Sequence, residues 1–509
     1  MQRVEIAFPE SSGVRYSGMK AKEWCVIWEF LQSWSESKNK NLVGINFQRS
    51  HKAVWGYVSS RPFARKTSLV SASTPLVPNK MSLPTDASSG CRTPSLRPGK
   101  SQYRLIEDVE VLHRYISGGY HPLQIEDDLH EGRYELVYKL GYGGYSTIWL
   151  ARDLQKERFV AVKVITADSS ACTPESSLLH LLGNSPPGPG SGIYPPLLDE
   201  FWIAGPNGKH RCIATAPARM SLFDAKEASS LGLFRPNVAR SIIAQLIRGI
   251  AFLHSQDIVH GDLHLGNILV QFSKAIDSLS PSELYKRFGE PQSEAVWCAA
   301  RVFIPGWFGV PSEELALGED KIILSDFGEA FNPHKTVRLS SKTLPLLQPP
   351  EARFSDEPLS FPSDIWTLAC TIWEVFGQRP LFEAFFATPD RVTAEQVETP
   401  GILPAEWWAK WDRRLEWFNE EGELDLEKTA RGHRGMRMSW DRRFDYCVQE
   451  PRGEAGLEIV AESERMVFEA MLLSMLAFRP NERATAQQVL HSKWMKDWGQ
   501  PALESAGVD

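Results

Sequence analysis

The sequence predicts an α+β fold in two lobes, a β-rich N-lobe followed by a helical C-lobe. Two alternating, strand-like segments flank a glycine turn in RYELVYKLGYGGYSTIWLARD, and a third strand-like segment, FVAVKVIT, follows. Farther along, NVARSIIAQLIRGIAFLHSQ carries apolar residues at helical spacing, and SDIWTLACTIWEVF and ERMVFEAMLLSML are also helical and strongly apolar. Strands therefore come first and helices second.

The first hundred residues differ in composition from the rest of the chain. Residues 60–100 are rich in Ser, Thr, Pro and basic side chains, with few large apolar groups to offset the chain entropy lost on folding. We therefore predict a largely disordered N-terminal extension over residues 1–100, an N-lobe over 103–216 and a C-lobe over 217–498.

Composition excludes several classes of protein. Hydrophobic content of 42% and charged content of 23% are ordinary for a globular chain. The net charge of -7 argues against a nucleic-acid binder that works by neutralising phosphates. It would suit a basic polypeptide partner, although so mild an excess is usually only a solubility feature. The 7 cysteines are scattered without a CxxC pair, which indicates reduced thiols in the cytoplasm and nucleus. No apolar run approaches the roughly 18 residues that cross a membrane.

A glycine-rich loop lies between the first two predicted strands. Glycines there let backbone N–H groups approach phosphates closely, although a glycine hairpin can also be only a tight turn. A dinucleotide-binding loop is excluded because this loop leads to a strand and not to a helix. The candidate phosphate-binding residues are Gly141, Tyr142, Gly143, Gly144, Tyr145, Ser146 and Ile148.

The third strand carries a lysine, Lys163, within the apolar run VAVKV. A lysine in such a strand, shortly after a glycine loop, is better explained as a phosphate ligand than as an edge solubiliser. It needs an acid to hold it, and Glu175 heads an apolar run 12 residues later. Glu157 and Asp168 also lie nearby.

Two later segments carry the chemistry of group transfer. In IVHGDLHLGNIL, Asp262 could accept a hydroxyl proton and Asn267, five residues on, could bind a metal. In IILSDFG, Asp326 ends a strand at a flexible turn, where Mg²⁺ that bridges phosphates would be held.

Together these segments match the eukaryotic protein-kinase signatures. From Tyr103 to Trp498 the chain resembles the SR protein kinases, particularly their fungal relatives, as in GGYHPLQIEDDLHEGRYELVYKLGYGGYSTIWLARD. Between Asn267 and Asp326 lie 58 residues, where the family carries a spacer, here 271–319. The Trp-rich stretch 381–450 fits a C-lobe insert that helps dock arginine-rich substrates in the family, although its aromatics suit an insert core better.

The resemblance implies an active serine/threonine kinase. ATP would lie between the lobes, against the glycine loop and Ala161, with Lys163 on its α- and β-phosphates. Asn267 and Asp326 would bind Mg²⁺, and Asp262 would position the substrate hydroxyl. The implied partners are protein substrates, namely Arg/Ser-rich splicing factors or basic proteins, and the implied state is a monomer.

The C-lobe anchors agree with this resemblance. Glu351 in Pro-Pro-Glu has Arg483 as its expected buried partner, and Asp364 matches the helix aspartate that holds the catalytic loop.

Several positions depart from the family pattern. Gly261 replaces the arginine beside the catalytic aspartate, which argues against control by an activation-loop phosphate. His264, included among the catalytic residues, replaces a lysine and would stabilise the transferring phosphoryl group less. Gln348 replaces an arginine and bears on substrate selection. The expected hinge, 214–217, lacks an acidic residue, and Thr215 is the candidate gatekeeper.

Two alternatives remain open at this point. A pseudokinase scaffold would account for the altered His264 and Gln348. A small-molecule phosphotransferase would account for HGDLHLGN, which resembles the catalytic loop of aminoglycoside and choline kinases, although those enzymes lack the Pro-Pro-Glu and Asp-Ile-Trp anchors.

Overall fold

The N-lobe is built on a six-stranded antiparallel sheet. The computed structural model describes residues 68–71, 103–296, 299, 301–384, 387–425 and 439–508. A short strand β1 (Ser68–Ser71) pairs with β2 (Tyr103–Ile106), apart from the main sheet. The main sheet has the order β3-β4-β5-β6-β8-β7. Its strands are β3 (Asp128–Leu129), β4 (Tyr134–Tyr142), β5 (Ser146–Asp153), β6 (Arg158–Ile165), β7 (Asp199–Gly205) and β8 (Gly208–Thr215).

Alternation along these strands gives the N-lobe its core. Trp149 on β5, Val162 on β6 and Cys212 on β8 are buried together, as period-2 patterning requires. Helix α1 (Glu175–Asn184) follows β6 and buries Leu178 and Leu179. Since Glu175 is its first residue, the packing of this helix fixes where that carboxylate lies.

The C-lobe begins with a short strand and two helices. Strand β9 (Ala218–Ser221) leads into α2 (Leu222–Ala228), whose first turn is closed by a capping box between Ser221 and Asp224. Helix α3 (Pro236–Ser255) begins with proline at its first position, where the missing N–H costs nothing. Most of α3 is buried in the C-lobe core, which also includes Ile268 and Val270 of β10 (Ile268–Gln271). We call the residues between α3 and β10, 256–267, the catalytic segment.

The described residues of the segment predicted as a spacer, 271–319, are folded, and part of the segment packs on the N-lobe sheet. It contains α4 (Pro281–Phe288) and the hairpin β11 (Ser293–Ala295) and β12 (Arg301–Phe303). Tyr285 on α4 donates to the Val137 carbonyl at 3.0 Å, and Phe308 meets the Tyr138 ring edge-on with 4.9 Å between centroids. The earlier part of this segment therefore packs with the N-lobe, whereas its end contacts the C-lobe, where the Ser312 hydroxyl donates to the Leu233 carbonyl at 2.9 Å.

The rest of the C-lobe is helical. Strand β13 (Ile322–Leu324) joins β10 and β9 in a three-stranded antiparallel sheet. The helices that follow are α5 (Glu351–Phe354), α6 (Phe361–Phe376), α7 (Pro389–Glu398), α8 (Ala405–Lys410), α9 (Trp440–Phe444), α10 (Glu450–Glu454), α11 (Glu462–Met475), α12 (Ala486–Leu490) and α13 (Gln500–Ala506). Single π-helical turns over Asp445–Gln449 and Met495–Gly499 precede α10 and α13.

Large aromatic side chains fill the C-lobe core. Trp366 and Trp373 on α6 are fully buried. Trp407, Trp408 and Trp411 are also buried, which confirms the interpretation of the insert aromatics as core.

Strands in the first lobe and helices in the second confirm the predicted α+β fold. Apart from β1, the predicted N-terminal extension lies outside the described residues. In the described part of the chain, no helix combines the length and apolar character needed to cross a bilayer.

Candidate active site

Lys163 lies on β6 and is held by the first residue of α1. Its Nζ is 2.5 Å from Glu175 Oε2 and 3.8 Å from Asp326 Oδ1. Burial lowers the pKa of Lys163, but the charges of Glu175 and Asp326 outweigh that effect and leave the pKa above its ordinary value. Lys163 is therefore a fixed cation that faces both lobes.

The two other acids near Lys163 in sequence are engaged elsewhere. Asp168 lies 3.2 Å from the Arg114 guanidinium and accepts a hydrogen bond from the Thr166 hydroxyl. Glu157 lies in the exposed turn between β5 and β6. Of the three acids that the sequence offers, Glu175 is the one that pairs with Lys163.

The backbone of the catalytic segment is tied to α6 by Asp364. Its carboxylate accepts from the N–H groups of His260 and Gly261, at 2.6 and 2.9 Å. Gly261 has a φ of +77°, and a Cβ there would lie 2.7 Å from the Glu329 carbonyl oxygen. Glycine adopts this conformation without strain, which gives a physical reason for the departure from arginine at this position.

Asp262 and Asn267 are joined within the same segment. Asn267 Nδ2 donates to the Asp262 carbonyl at 2.9 Å, and the Asn267 carbonyl accepts from the Ser325 N–H at 2.9 Å. Because Ser325 directly precedes Asp326, these bonds tie the catalytic segment to the second candidate metal ligand. Asp326 has a φ of +60°, a left-handed conformation uncommon for a residue other than glycine.

Asp326 and Asn267 offer the hard oxygen donors that Mg²⁺ prefers. Among the described residues, no group of three or more His, Cys, Asp or Glu is arranged to hold a metal by itself. Mg²⁺ is commonly bound by one or two protein oxygens together with substrate phosphates. The donor set therefore suits Mg²⁺ brought with a nucleotide.

His260 also connects the catalytic segment to the residues just before Asp326. Its Nδ1 accepts from the Asp262 N–H at 3.3 Å, and its Nε2 lies 3.1 Å from the Ser325 carbonyl, so a neutral ring protonated at Nε2 satisfies both. Burial lowers the pKa of His260, which keeps the ring neutral. Its ring also packs on Phe327, with 5.2 Å between centroids.

His264 faces the Asp262 carboxylate. Its Nε2 lies 3.9 Å from Asp262 Oδ2, and its Nδ1 accepts from the Gly266 N–H at 3.1 Å. The side chain is thus oriented by the backbone of its own turn, with one ring nitrogen facing Asp262.

The glycine-rich loop closes the site from the N-lobe side. Gly141 pairs with Ile148 across the β4–β5 hairpin, and the Gly143 N–H donates to the Ser146 carbonyl at 2.8 Å. Tyr145 at the tip has 66% of its surface exposed. On the next strand pair, Ala161 is opposite Thr215, so both belong to the same end of the cleft.

An ion pair and several side-chain hydrogen bonds fix the position of the segment between Asp326 and Glu351. Arg338 pairs with Glu329 at 2.6 Å, and the Thr343 hydroxyl donates to the Gly261 carbonyl at 2.9 Å. Gln348 donates to the Thr343 carbonyl at 2.9 Å and accepts from Gln396 on α7 at 3.0 Å. Gln348 is therefore part of a neutral hydrogen-bond chain, at the position where the family resemblance implied an arginine.

Glu351 and Arg483 form the buried pair that the sequence predicted. Two parallel bonds join the guanidinium to the carboxylate, at 2.7 and 2.6 Å. Arg483 also donates to the carbonyls of Pro362, Ala477 and Phe478. These contacts join the end of the segment between Asp326 and Glu351 to the C-lobe core.

Two residues at the site were missed by sequence reasoning. Tyr120 and Arg114 both donate to carbonyls of the glycine-rich loop. The sequence signal was the lead-in GGYHP, which carried a family resemblance without indicating a contact.

Comparisons with known proteins show which proteins this chain resembles. Residues 232–400 match the family model of protein tyrosine and serine/threonine kinases. A serine/threonine protein kinase of Aspergillus fumigatus is 24% identical over 428 residues, covering 79% of this chain and 95% of the relative. The serine/threonine-protein kinase SRPK of Physarum polycephalum is 26% identical over 402 residues, covering 75% and 90%. Human SRSF protein kinase 3 is 36% identical over 170 residues, covering 32% of this chain and 30% of the relative. The chain therefore carries a protein kinase domain and is similar to serine/threonine protein kinases, among them the SR protein kinases.

Proposed function

We propose that this chain transfers the γ-phosphoryl group of ATP to serine in Arg/Ser-rich or other basic proteins. The observation that carries the proposal is the position of Lys163. Its ammonium group contacts Glu175 of the N-lobe and lies near Asp326 of the C-lobe. An active kinase needs this ion pair and this aspartate in place together.

Each residue has a role that follows from its position. Lys163 binds the α- and β-phosphates, and the glycine-rich loop binds phosphate oxygens through its N–H groups. Asp262 orients the substrate hydroxyl and accepts its proton at the carboxylate. Asn267 and Asp326 would hold Mg²⁺, which would neutralise charge on the phosphates.

The substrate class is supported by charge and by the relatives. The chain has a net charge of -7, which favours encounter with basic polypeptides. One relative is named a kinase of SRSF proteins. We place the substrates among splicing factors, and the chain, as a monomer, in the cytoplasm and nucleus.

A peptide panel tests this proposal. The purified full chain with Mg²⁺ and ATP is expected to phosphorylate an Arg-Ser repeat peptide faster than matched Lys-Ser and Ala-Ser peptides. Equal rates on all three would contradict the Arg/Ser preference. ATP binding without transfer to any peptide would favour a scaffold, and transfer only to choline or an aminoglycoside would favour a small-molecule phosphotransferase.

The presence of histidine at position 264 is the specific feature that favours an enzyme with slow turnover, or a scaffold with little phosphoryl transfer. A neutral imidazole stabilises the charge of the transferring group less than an ammonium does. We expect His264→Lys to raise kcat on the Arg-Ser peptide by about tenfold, since a cation at this site acts mainly in the transition state. His264→Ala serves as the comparison and should lower kcat. A His264→Lys variant no faster than the wild type would show that the ring is not the limiting feature.

A further inference from the structure

Residues 109–120 precede the main sheet in the sequence and contact the glycine-rich loop. We call this segment the clasp. The Tyr120 hydroxyl donates to the Gly143 carbonyl at 2.7 Å and lies 3.3 Å from the Gly144 carbonyl. Arg114 donates to the Gly144 carbonyl. Two successive carbonyls of the loop are thus bonded from the clasp.

These bonds fix the direction of the loop N–H groups. In a planar trans peptide the C=O points opposite to the N–H of the next residue. A donor on the Gly143 carbonyl therefore sets the Gly144 N–H, and a donor on the Gly144 carbonyl sets the Tyr145 N–H. In the described part of the chain, neither N–H donates to a backbone carbonyl. Successive N–H groups that are not used in backbone pairing can bind an anion together.

The clasp is itself anchored by buried charges. Glu110 is fully buried and accepts from Lys139 of β4 and from the Tyr115 hydroxyl. Lys139 also donates to the Phe303 carbonyl at 2.9 Å. A buried pair with these extra hydrogen bonds is costly to separate, so the clasp and the strand that leads into the loop are held together.

A tight turn and a neutral phenol complete the arrangement. A Cβ at Gly119 would lie 1.7 Å from the Arg114 carbonyl oxygen, so glycine permits the turn that brings Tyr120 back to the loop. Burial raises the pKa of Tyr120 to about 12, so its hydroxyl keeps its proton and remains a donor.

We propose that Tyr120 and Arg114 are positioning residues that hold the glycine-rich loop in its phosphate-binding conformation before nucleotide arrives. The inference rests on the proposed function, because the anion it prepares for is the phosphate chain of ATP. A preformed loop loses less conformational freedom on binding, which strengthens nucleotide affinity.

The test is Tyr120→Phe in the full chain, a change that removes one hydroxyl and keeps the ring. Amide hydrogen exchange is measured at the backbone N–H groups of Gly143 and Thr166, which donate to the loop carbonyls of Ser146 and Tyr145. We expect their exchange without nucleotide to quicken, and the Kd and KM for MgATP to rise, each about three- to tenfold, as loss of one hydrogen bond allows. The kcat should stay within about twofold, because Tyr120 is not placed to touch the reacting atoms.

The matched control is Tyr285→Phe, whose hydroxyl donates to the Val137 carbonyl on the same strand, away from the loop. It should leave loop exchange and the Kd for MgATP unchanged. Unchanged loop exchange in Tyr120→Phe would overturn the proposal, and so would an equal effect of Tyr285→Phe. A wild-type chain that fails to phosphorylate peptides would refute the proposed function alone, because loop exchange is measured without catalysis.

Discussion

Asp262→Asn is expected to lower kcat for phosphoryl transfer by about 10²- to 10⁴-fold, the usual contribution of a positioned general base. The amide keeps the shape of the side chain but cannot accept the hydroxyl proton. The neighbouring contacts made by the Asp262 backbone, to His260 and Asn267, are unaffected by this change. The KM for ATP should therefore change little, and steady-state kinetics on an Arg-Ser peptide separates the two constants.

Asp257→Asn provides the matched control for that experiment. Asp257 precedes Asp262 by five residues, its side chain is 62% exposed, and its φ of +60° is one that asparagine tolerates. It should keep wild-type kcat. If Asp262→Asn retained most of its activity, Asp262 would not be the base and the assigned chemistry would be wrong.

Glu351→Ala is expected to have the largest effect on stability. It leaves the Arg483 guanidinium buried without its carboxylate, and breaking a buried pair in this way costs about 3–5 kcal/mol. The side chains of both partners are almost completely buried, so water cannot replace the lost contact. Denaturant unfolding followed by tryptophan fluorescence measures the change, because Trp366 lies beneath the Arg483 guanidinium, 5.1 Å from ring centroid to Cζ.

A surface pair of the same type is the control for this prediction. Arg413 and Glu416 are 2.5 Å apart, with about half of each side chain exposed to solvent. Glu416→Ala should cost far less than Glu351→Ala, because water screens and replaces an exposed ion pair. Equal losses from the two variants would show that the Glu351–Arg483 pair does not anchor the C-lobe.

Local sequence patterns were sufficient to predict the two lobes and the order of the site residues along the chain. Alternation around the glycine turn predicted β4 and β5, and helical spacing predicted α3 and α6 with nearly their observed bounds. These predictions succeed because strand and helix periods are properties of neighbouring residues.

Contacts between distant segments were not predictable in the same way. The packing of the earlier part of 271–319 onto the N-lobe depends on contacts such as that between Tyr138 and Phe308, which are far apart in sequence and carry no shared pattern. The role of Tyr120 depends on a turn that returns it to Gly143. Nothing in the composition of either segment indicates its partner.

The sequence by itself determined that this protein is a bilobal kinase with Lys163, Asp262, Asn267 and Asp326 in a fixed order, because those motifs are local and specific. Only the tertiary structure decided which acid holds Lys163, since Glu157, Asp168 and Glu175 are all close to it in sequence. The packing of α1 brings Glu175 to the lysine, and the clasp draws Asp168 to Arg114. Sequence distance limits which groups can meet, but the three-dimensional packing selects the pair, because an ion pair forms only where burial and geometry bring both charges together.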